Sequence, residues 1–148
     1  MCQLLGMNAN VPTDICFSFT GFRQRGGRTD HHADGWGIGF FEDAGCRIFI
    51  DTEASVHSPI AALVSAYPIR SQHVIAHIRK ATQGQVRLQN THPFQREVGG
   101  RYWLFAHNGD LKGFSGRSGS ARPVGDTDSE AAFCHLLNEV LAVCPDGR

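Results

Sequence analysis

The chain has 148 residues, which suits one compact domain and leaves no room for a separate synthase or kinase module. Fourteen Lys and Arg residues balance fourteen Asp and Glu residues, so a formal charge of zero makes nucleic acid and anionic membranes poor default partners. Hydrophobic residues make up 41% and charged residues 19%, a composition that favours a folded core over disorder.

The cysteines and the N-terminal segment indicate the compartment. Five cysteines are an odd number, and no CxxC pair is present to indicate a zinc or redox site. The first twenty residues lack a basic start and include Asp14, and no apolar run approaches the ~18 residues that cross a bilayer. We therefore expect a soluble cytoplasmic protein.

The first predicted elements are a strand and a helix. An apolar stretch over 2–7 predicts a buried strand at the N-terminus, closed by Asn8, Asn10 and Pro12. Thr13 or Asp14 is suited to cap a short helix whose apolar residues extend to Phe22.

A hairpin and a second helix come next. Residues 36–41 and 47–50 predict two strands, because both are rich in apolar and aromatic residues and a short turn segment separates them. Ser58 followed by Pro59 is typical of a helix start, and Pro68 predicts the end of that helix.

The second half of the chain alternates strands with long loops. Two strands are predicted over 74–78 and 102–106, and residues 81–96 predict a functional loop because turn-forming residues dominate there. A helical stripe from Ala131 to Leu141 predicts a final helix, with Asp126, Thr127 or Asp128 as its cap. Hairpins outnumber crossovers in this pattern, so we predict an α+β fold built on antiparallel sheet.

Cys2 is the sharpest candidate for chemistry. Removal of Met1 would leave a cysteine with a free α-amine, whose pKa of roughly 8 lies close to the thiol's roughly 8.5. Nucleophile and base would then belong to one residue, with no need for a separate histidine. The alternative is that Cys2 is only a small buried hydrophobe.

Four further residues could together hold an amino acid by both ends and stabilise its reacting group. Arg79 follows a predicted strand, where its guanidinium can grip a carboxylate with two hydrogen bonds. Asn108 and Gly109 follow another strand and offer a side-chain amide and a backbone N–H to a developing oxyanion. Asp128 lies at a predicted helix start and could pair with an ammonium group. A surface ion pair, a turn and an N-cap are the respective alternatives.

Together, five blocks behind the N-terminal cysteine resemble the class II glutamine amidotransferase domain, and most closely its stand-alone bacterial, YafJ-like branch. The blocks occur in the family's order and span nearly the whole chain. They are Arg25 and Gly26 with Asp34 to Gly37, then His77 to Gly84, Asn90 to Phe94, His107 to Gly109, and Asp126 to Glu130.

The resemblance implies an N-terminal-nucleophile hydrolase with a four-layer αββα sandwich, no cofactor, and glutamine or a γ-glutamyl compound as substrate. The nucleophile would attack the side-chain amide, release ammonia and leave a γ-glutamyl thioester for water to hydrolyse. Carried over by position, the roles are nucleophile for Cys2, oxyanion hole for Asn108 and Gly109, α-carboxylate clamp for Arg79, α-ammonium partner for Asp128, and substrate contact for Thr82.

This sequence also departs from the family. Lys80 and Gln83 stand where many synthase-fused members have Trp and His, which puts coupling to an acceptor domain in doubt. We interpret residues 1–148 as one glutamine amidotransferase type-2 domain, with Met1 removed and the C-terminal strands and helix of the family domain missing. That would leave one face of the sandwich uncovered.

Other polar clusters favour structural roles. Residues 30–34 contain His and Asp, but adjacent histidines point to different sides of an extended chain, so we predict no metal. His77, His92 and His107 are expected to make orienting hydrogen bonds. The glycines within 35–39 are expected to let backbone approach backbone.

Three functions remain open on the sequence alone. The favoured one is glutamine hydrolysis, with ammonia passed to a separate synthase. The second is hydrolysis of γ-glutamyl peptides or amides, since the motifs specify the γ-glutamyl group and not its leaving group. The third is a catalytically silent glutamine-sensing subunit.

Overall fold

The computed structural model describes residues 2–29, 31–81 and 84–145, which form an α+β domain with two antiparallel sheets. One sheet has four strands in the order β1-β4-β2-β3, and the other pairs β5 with β6. The strands are β1 (Gln3–Asp14), β2 (Trp36–Glu42), β3 (Gly45–Asp51), β4 (Arg70–Ile78), β5 (Phe94–Val98) and β6 (Arg101–Phe105); the helices are α1 (Cys16–Arg23), α2 (Pro59–Ala66) and α3 (Asp128–Val143).

The elements stack in four layers. Helices α1 and α2 cover one face of the larger sheet, where Phe19 and Val64 join a core that includes Trp36 and Ile38. Helix α3 covers the smaller sheet through a second core. The α+β prediction is confirmed, and the layers follow the αββα order that the resemblance implies.

Glycine lets the two sheets approach each other closely. A Cβ at Gly37 would lie 2.3 Å from the carbonyl oxygen of His92, and one at Gly39 would lie 2.7 Å from a methyl group of Leu104. Real side chains do not tolerate such distances, so both positions of β2 require glycine for this packing. Backbone therefore meets backbone at Gly37, as the glycine-rich strand suggested, whereas Gly39 makes room for the side chain of Leu104.

The locally encoded elements form as predicted. Strands β2 and β3 form the hairpin, with Trp36 opposite Asp51 in register. At the start of α2, the Ser58 hydroxyl accepts a hydrogen bond of 3.1 Å from Ala61 N, and Pro59 occupies the first turn. Helix α3 starts after Thr127, whose hydroxyl accepts from Glu130 N at 3.2 Å.

Strand β1 differs from the prediction of a short buried strand. It continues through Asn8, Asn10 and Pro12 to Asp14, and β4 is its only partner among the strands of the described residues. As an edge strand it turns alternate side chains outward, so Leu4 is 46% exposed. The predicted cap Asp14 accepts from Cys16 N at 2.7 Å, although Ile15 is the cap residue of α1.

The predicted loop over 81–96 contains regular structure near its end. A single 3₁₀ turn spans Leu88–Asn90, and β5 already begins at Phe94. None of the helices formed by the described residues is long and apolar enough to span a membrane.

Candidate functional site

Strand register gathers the candidate residues at one end of the larger sheet. Ile78 at the end of β4 is opposite both Gln3 of β1 and Trp36 of β2. The residues just outside these three positions therefore meet, and Arg79 N donates to Gly35 O at 2.8 Å. The N-terminus of the described chain and the end of β4 form one corner of the fold.

The half-buried Cys2 lies in this corner between two distant segments. Lys80 N donates to Cys2 Sγ at 3.2 Å, and that sulfur lies 3.4 Å from Lys80 O. From the segment after β6, Asn108 Nδ2 donates to the carbonyl oxygen of Cys2 at 2.7 Å. The fold thus bonds the amide of Asn108 to the backbone of the cysteine that lies 106 positions earlier in the sequence.

The Arg25–Gly26 turn packs beside the same strand end. Arg25 Nη1 donates to Gln3 Oε1 at 2.9 Å, one residue from Cys2. A Cβ at Gly26 would lie 2.0 Å from Ser55 Oγ, so this turn can pack here only with glycine. The turn therefore supports the strand that carries Cys2.

Arg79 is 3% exposed and organises the loop that follows it. Its Nη1 donates to Gln85 O at 3.1 Å, and its Nη2 donates to Gly84 O at 3.2 Å. The guanidinium fork thus holds two consecutive carbonyls, a geometry that a single ammonium group cannot reproduce. Thr82, the predicted substrate contact, lies outside the described residues.

Asp34 is a site-edge residue to which the sequence analysis assigned no role of its own. Its Oδ2 accepts from Ala81 N at 2.8 Å, and its backbone N donates to Arg79 O at 3.2 Å. Its place just before β2, at the same sheet end as Arg79, is the signal that could have identified it.

Asn90 and Asp126 join the loop after Arg79 to the start of α3. Asn90 Nδ2 donates to Asp126 Oδ1 at 2.6 Å and to Gln85 O at 2.9 Å. In return, Asp126 N donates to Asn90 Oδ1 at 3.1 Å. Asn90 is 1% exposed, so its amide forms a buried hydrogen-bonded link between the motif blocks that begin at Asn90 and at Asp126.

Asp128, the first residue of α3, faces the loop after β6. Its Oδ2 accepts from Leu111 N at 2.7 Å, and its Oδ1 accepts from Ser129 N at 2.7 Å. Asp128 is thereby tied to the segment that carries Asn108 and Gly109. An ionised carboxylate has about four acceptor positions, so these two bonds do not saturate it.

Two buried histidines pack ring against ring beneath the corner. The centroids of His77 and His92 are 4.4 Å apart. Burial lowers the pKa of His77 to about 4 and that of His92 to about 2, so both rings are neutral near pH 7. The expected orienting hydrogen bond is absent at His92, whose ring nitrogens have no partner among the described residues.

The acidic and histidine-rich segment does not assemble a metal site in the described part of the chain. Asp30 lies outside the described residues, while His32 is buried and His31 is exposed. No group of three or more His, Cys, Asp or Glu residues in the described ranges could hold a metal ion.

Comparison with known proteins gives consistent similarities. A family model described as glutamine amidotransferases class-II matches residues 1–147. YafJ of Escherichia coli (strain K12), provisionally named a glutamine amidotransferase, is 62% identical over 146 residues, covering 98% of this chain and 57% of that protein. Gamma-glutamyl-hercynylcysteine sulfoxide hydrolase of Mycobacterium tuberculosis (strain CDC 1551 / Oshkosh) is 37% identical over 84 residues, covering 53% of this chain and 32% of that protein.

A solved structure agrees with these matches. The 2.0 Å crystal structure of a predicted glutamine amidotransferase from Pseudomonas aeruginosa PA01 has 50% sequence identity and a TM-score of 0.70. The similarity covers 97% of this chain and 57% of that chain. This chain therefore spans 57% of the length of YafJ and 57% of the length of the crystallised chain.

Proposed function

Because the chain belongs to the class II glutamine amidotransferase family, we propose that it hydrolyses the side-chain amide of glutamine with Cys2 as nucleophile. The observation that carries the proposal is the hydrogen bond from Asn108 Nδ2 to the carbonyl oxygen of Cys2, which places the segment after β6 beside the start of the described chain. Cys2 must become the N-terminal residue, so the proposal requires removal of Met1.

The first step forms a thioester. The free α-amine of Cys2 takes the thiol proton, since its pKa of roughly 8 lies near that of the thiol. The thiolate attacks the side-chain carbonyl carbon of glutamine, whose oxygen becomes negatively charged. Asn108 Nδ2 and the backbone N–H of Gly109 donate to this oxygen, which stabilises the tetrahedral intermediate.

Collapse of the intermediate breaks the carbon–nitrogen bond. The departing nitrogen takes the proton held by the α-ammonium of Cys2 and leaves as ammonia, while the γ-glutamyl group stays on the sulfur. Water then loses a proton to the α-amine and attacks the thioester. Glutamate leaves, and the proton returns to the sulfur, so the thiol is regenerated without net redox change.

In the proposal, the residues around the corner formed by Cys2 and the end of β4 orient the substrate. In the proposal, Arg79 binds the α-carboxylate of glutamine, Asp128 binds its α-ammonium, and Thr82 contacts the substrate beside them. Arg79 supports this role by its position at the sheet end that carries Cys2. The role of Asp128 is supported by its contact with the loop that carries Asn108. Its carboxylate also has acceptor positions left for an ammonium group.

A γ-glutamyl peptide or amide is the second candidate substrate. One relative is named gamma-glutamyl-hercynylcysteine sulfoxide hydrolase, and its similarity covers 53% of this chain. Lys80 is exposed and its backbone N contacts the sulfur, at a position where many synthase-fused family members resembled by this sequence have Trp. A more open side wall would accept a leaving amine larger than ammonia.

The proposal extends to the ammonia acceptor and the compartment. A separate synthase would consume the ammonia. The cytoplasm suits the enzyme, because all five cysteines are free thiols that a reducing compartment preserves.

The test measures ammonia release from L-glutamine and amine release from γ-glutamyl dipeptides. Cys2→Ala should abolish both activities, whereas the matched control Cys16→Ala, at another half-buried cysteine, should retain them. Preference for dipeptides would replace the glutaminase with the second candidate. Glutamine binding without turnover by the wild-type protein would contradict catalysis and favour a sensing subunit.

A further inference from the structure

The segment that carries Asn108 and Gly109 is anchored on both sides by the start of α3. Before this pair, His107 Nδ1 lies 3.1 Å from Ser129 Oγ. After it, Leu111 N donates to Asp128 Oδ2 at 2.7 Å. Residues 106–110 lie outside the strands and helices, so their position depends on these two contacts to α3 and on the bond from Asn108 to Cys2.

The anchoring residues are themselves held rigidly. Ser129 is 5% exposed and Glu130 is 1% exposed. Glu130 accepts from Val124 N at 3.0 Å and Gly125 N at 2.7 Å, and it forms an ion pair with Arg96. The first turn of α3 is therefore a fixed support for the segment that it holds.

The ring of His107 also supports Gly109 directly. A Cβ at Gly109 would lie 2.8 Å from His107 Nε2 and 3.0 Å from Cε1, so the glycine backbone rests against the ring edge. A shift of this ring would move the backbone N–H of Gly109. That N–H is one of the two proposed oxyanion donors.

The contacts of Ser129 bear on which ring nitrogen of His107 is the hydrogen-bond donor. Ser129 Oγ lies 3.3 Å from Asp128 Oδ1, and an ionised carboxylate can only accept. When the hydroxyl of Ser129 donates to Asp128, its oxygen is free to accept a hydrogen bond from His107. In a neutral ring that arrangement would place the proton on Nδ1 and leave Nε2, beside Gly109, without one.

We infer that His107 and Ser129 are positioning residues, which hold Asn108 and Gly109 in the orientation that the oxyanion requires. This inference rests on the proposed function for its kinetic consequence, but its structural content is the Nδ1–H···Oγ bond. Neither residue touches the reacting atoms. They act through the loop, by preorganising two donors before substrate arrives.

Two variants break the same bond in different ways. Ser129→Ala removes the acceptor, and His107→Phe keeps a ring beneath Gly109 but removes the donor. Since a misplaced catalytic group costs up to about 100-fold, we expect each variant to lower kcat about 10-fold and to change KM less than about 2-fold. The double variant should be no slower than either single variant, because both remove one interaction.

The matched control is Ser71→Ala. Ser71 is 2% exposed and donates to Phe41 O at 2.7 Å, so its loss also removes a buried hydroxyl bond, but at the far end of β4. We expect this variant to retain the wild-type kcat. Equal losses of kcat in Ser71→Ala and Ser129→Ala would mean that general destabilisation is responsible, and would overturn the inference.

A spectroscopic measurement tests the bond without reference to activity. The ¹⁵N shifts of His107 in the wild-type protein should show a protonated Nδ1 and an unprotonated Nε2, and Ser129→Ala should abolish that preference. A proton on Nε2, or shifts unaffected by the substitution, would refute the inference. Wild-type protein inactive on every γ-glutamyl compound would instead refute the proposed function, and the ¹⁵N result would still decide the bond.

Discussion

The buried pair of His77 and His92 predicts a steep loss of stability in acid. Both rings bind protons far more weakly in the folded protein than in the unfolded chain, where the histidine pKa is about 6.5. As the pH falls below about 6.5, His77 and His92 bind protons in the unfolded state but stay unprotonated in the folded state. The free energy of unfolding therefore falls from about pH 6.5 down to about pH 4 for His77, and further for His92.

The magnitude follows from the two pKa values. Between about pH 7.5 and about pH 5, each histidine removes about 2 kcal/mol from the free energy of unfolding, so the pair removes about 4 kcal/mol. This is a large part of the 5–15 kcal/mol typical of a folded domain. Above about pH 7.5 both histidines are unprotonated in the folded and in the unfolded state. They then add no pH dependence to the free energy of unfolding.

His92→Phe isolates one half of this effect. A phenyl ring retains the packing against His77 and against Phe94, whose centroid lies 4.5 Å away, but it does not titrate. We expect the stability difference between about pH 7.5 and about pH 5 to shrink by about 2 kcal/mol in the variant. Urea denaturation at both pH values measures that difference.

The quantity to compare is the change in the free energy of unfolding between the two pH values within each protein. An effect of the substitution on packing is present at both pH values, so it cancels in this difference. His57→Gln is the control, because His57 is exposed and its ring stays in water in both states. It should leave the acid sensitivity of the wild-type protein unchanged. Equal acid sensitivity in His92→Phe and wild type would refute the reasoning.

The remaining predictions concern the site and the sheet packing. Asn108→Ala should lower kcat about 10²- to 10³-fold in steady-state glutaminase assays, and an unchanged kcat would reject Asn108 as an oxyanion donor. Arg79→Lys should raise the KM for glutamine, because an ammonium cannot bridge the carbonyls of Gly84 and Gln85 and grip a carboxylate as a fork does. An unchanged KM would argue against the clamp. Gly37→Ala should cost about 1–3 kcal/mol of stability in urea denaturation, since its Cβ would meet a backbone oxygen at 2.3 Å. Gly6→Ala, with nothing within 4 Å of its Cβ, should cost little, and equal costs at both glycines would contradict the packing account.

The parts of the fold that were predictable are encoded by neighbouring residues. Ser58 and Pro59 define the start of α2, and the turn between β2 and β3 lies between two apolar runs. The length of β1 was not predictable in this way. Its continuation through Pro12 depends on pairing with β4, about sixty residues later, and on a place at the sheet edge.

In the candidate site too, features encoded by neighbouring residues were predictable and contacts between distant segments were not. Cys2 and Asn108 each stood out through their residue type and their neighbours in the chain, but the bond between them depends on the packing of two sheets. The role of Asp128 as a partner of Leu111 N had no sequence signal, since any residue at position 111 supplies the same backbone N–H. Contacts to loop backbone were consequently the part that required the structure.

The central claim is that Cys2 becomes the N-terminal nucleophile. Its most direct test is the intact mass of active protein before and after treatment with a glutamine-like alkylating agent, followed by mapping of the labelled residue. We expect a mass without Met1, one equivalent of label at Cys2, and loss of activity in proportion to labelling. Full activity in protein that retains Met1, or a label on another cysteine with Cys2 unmodified, would contradict it.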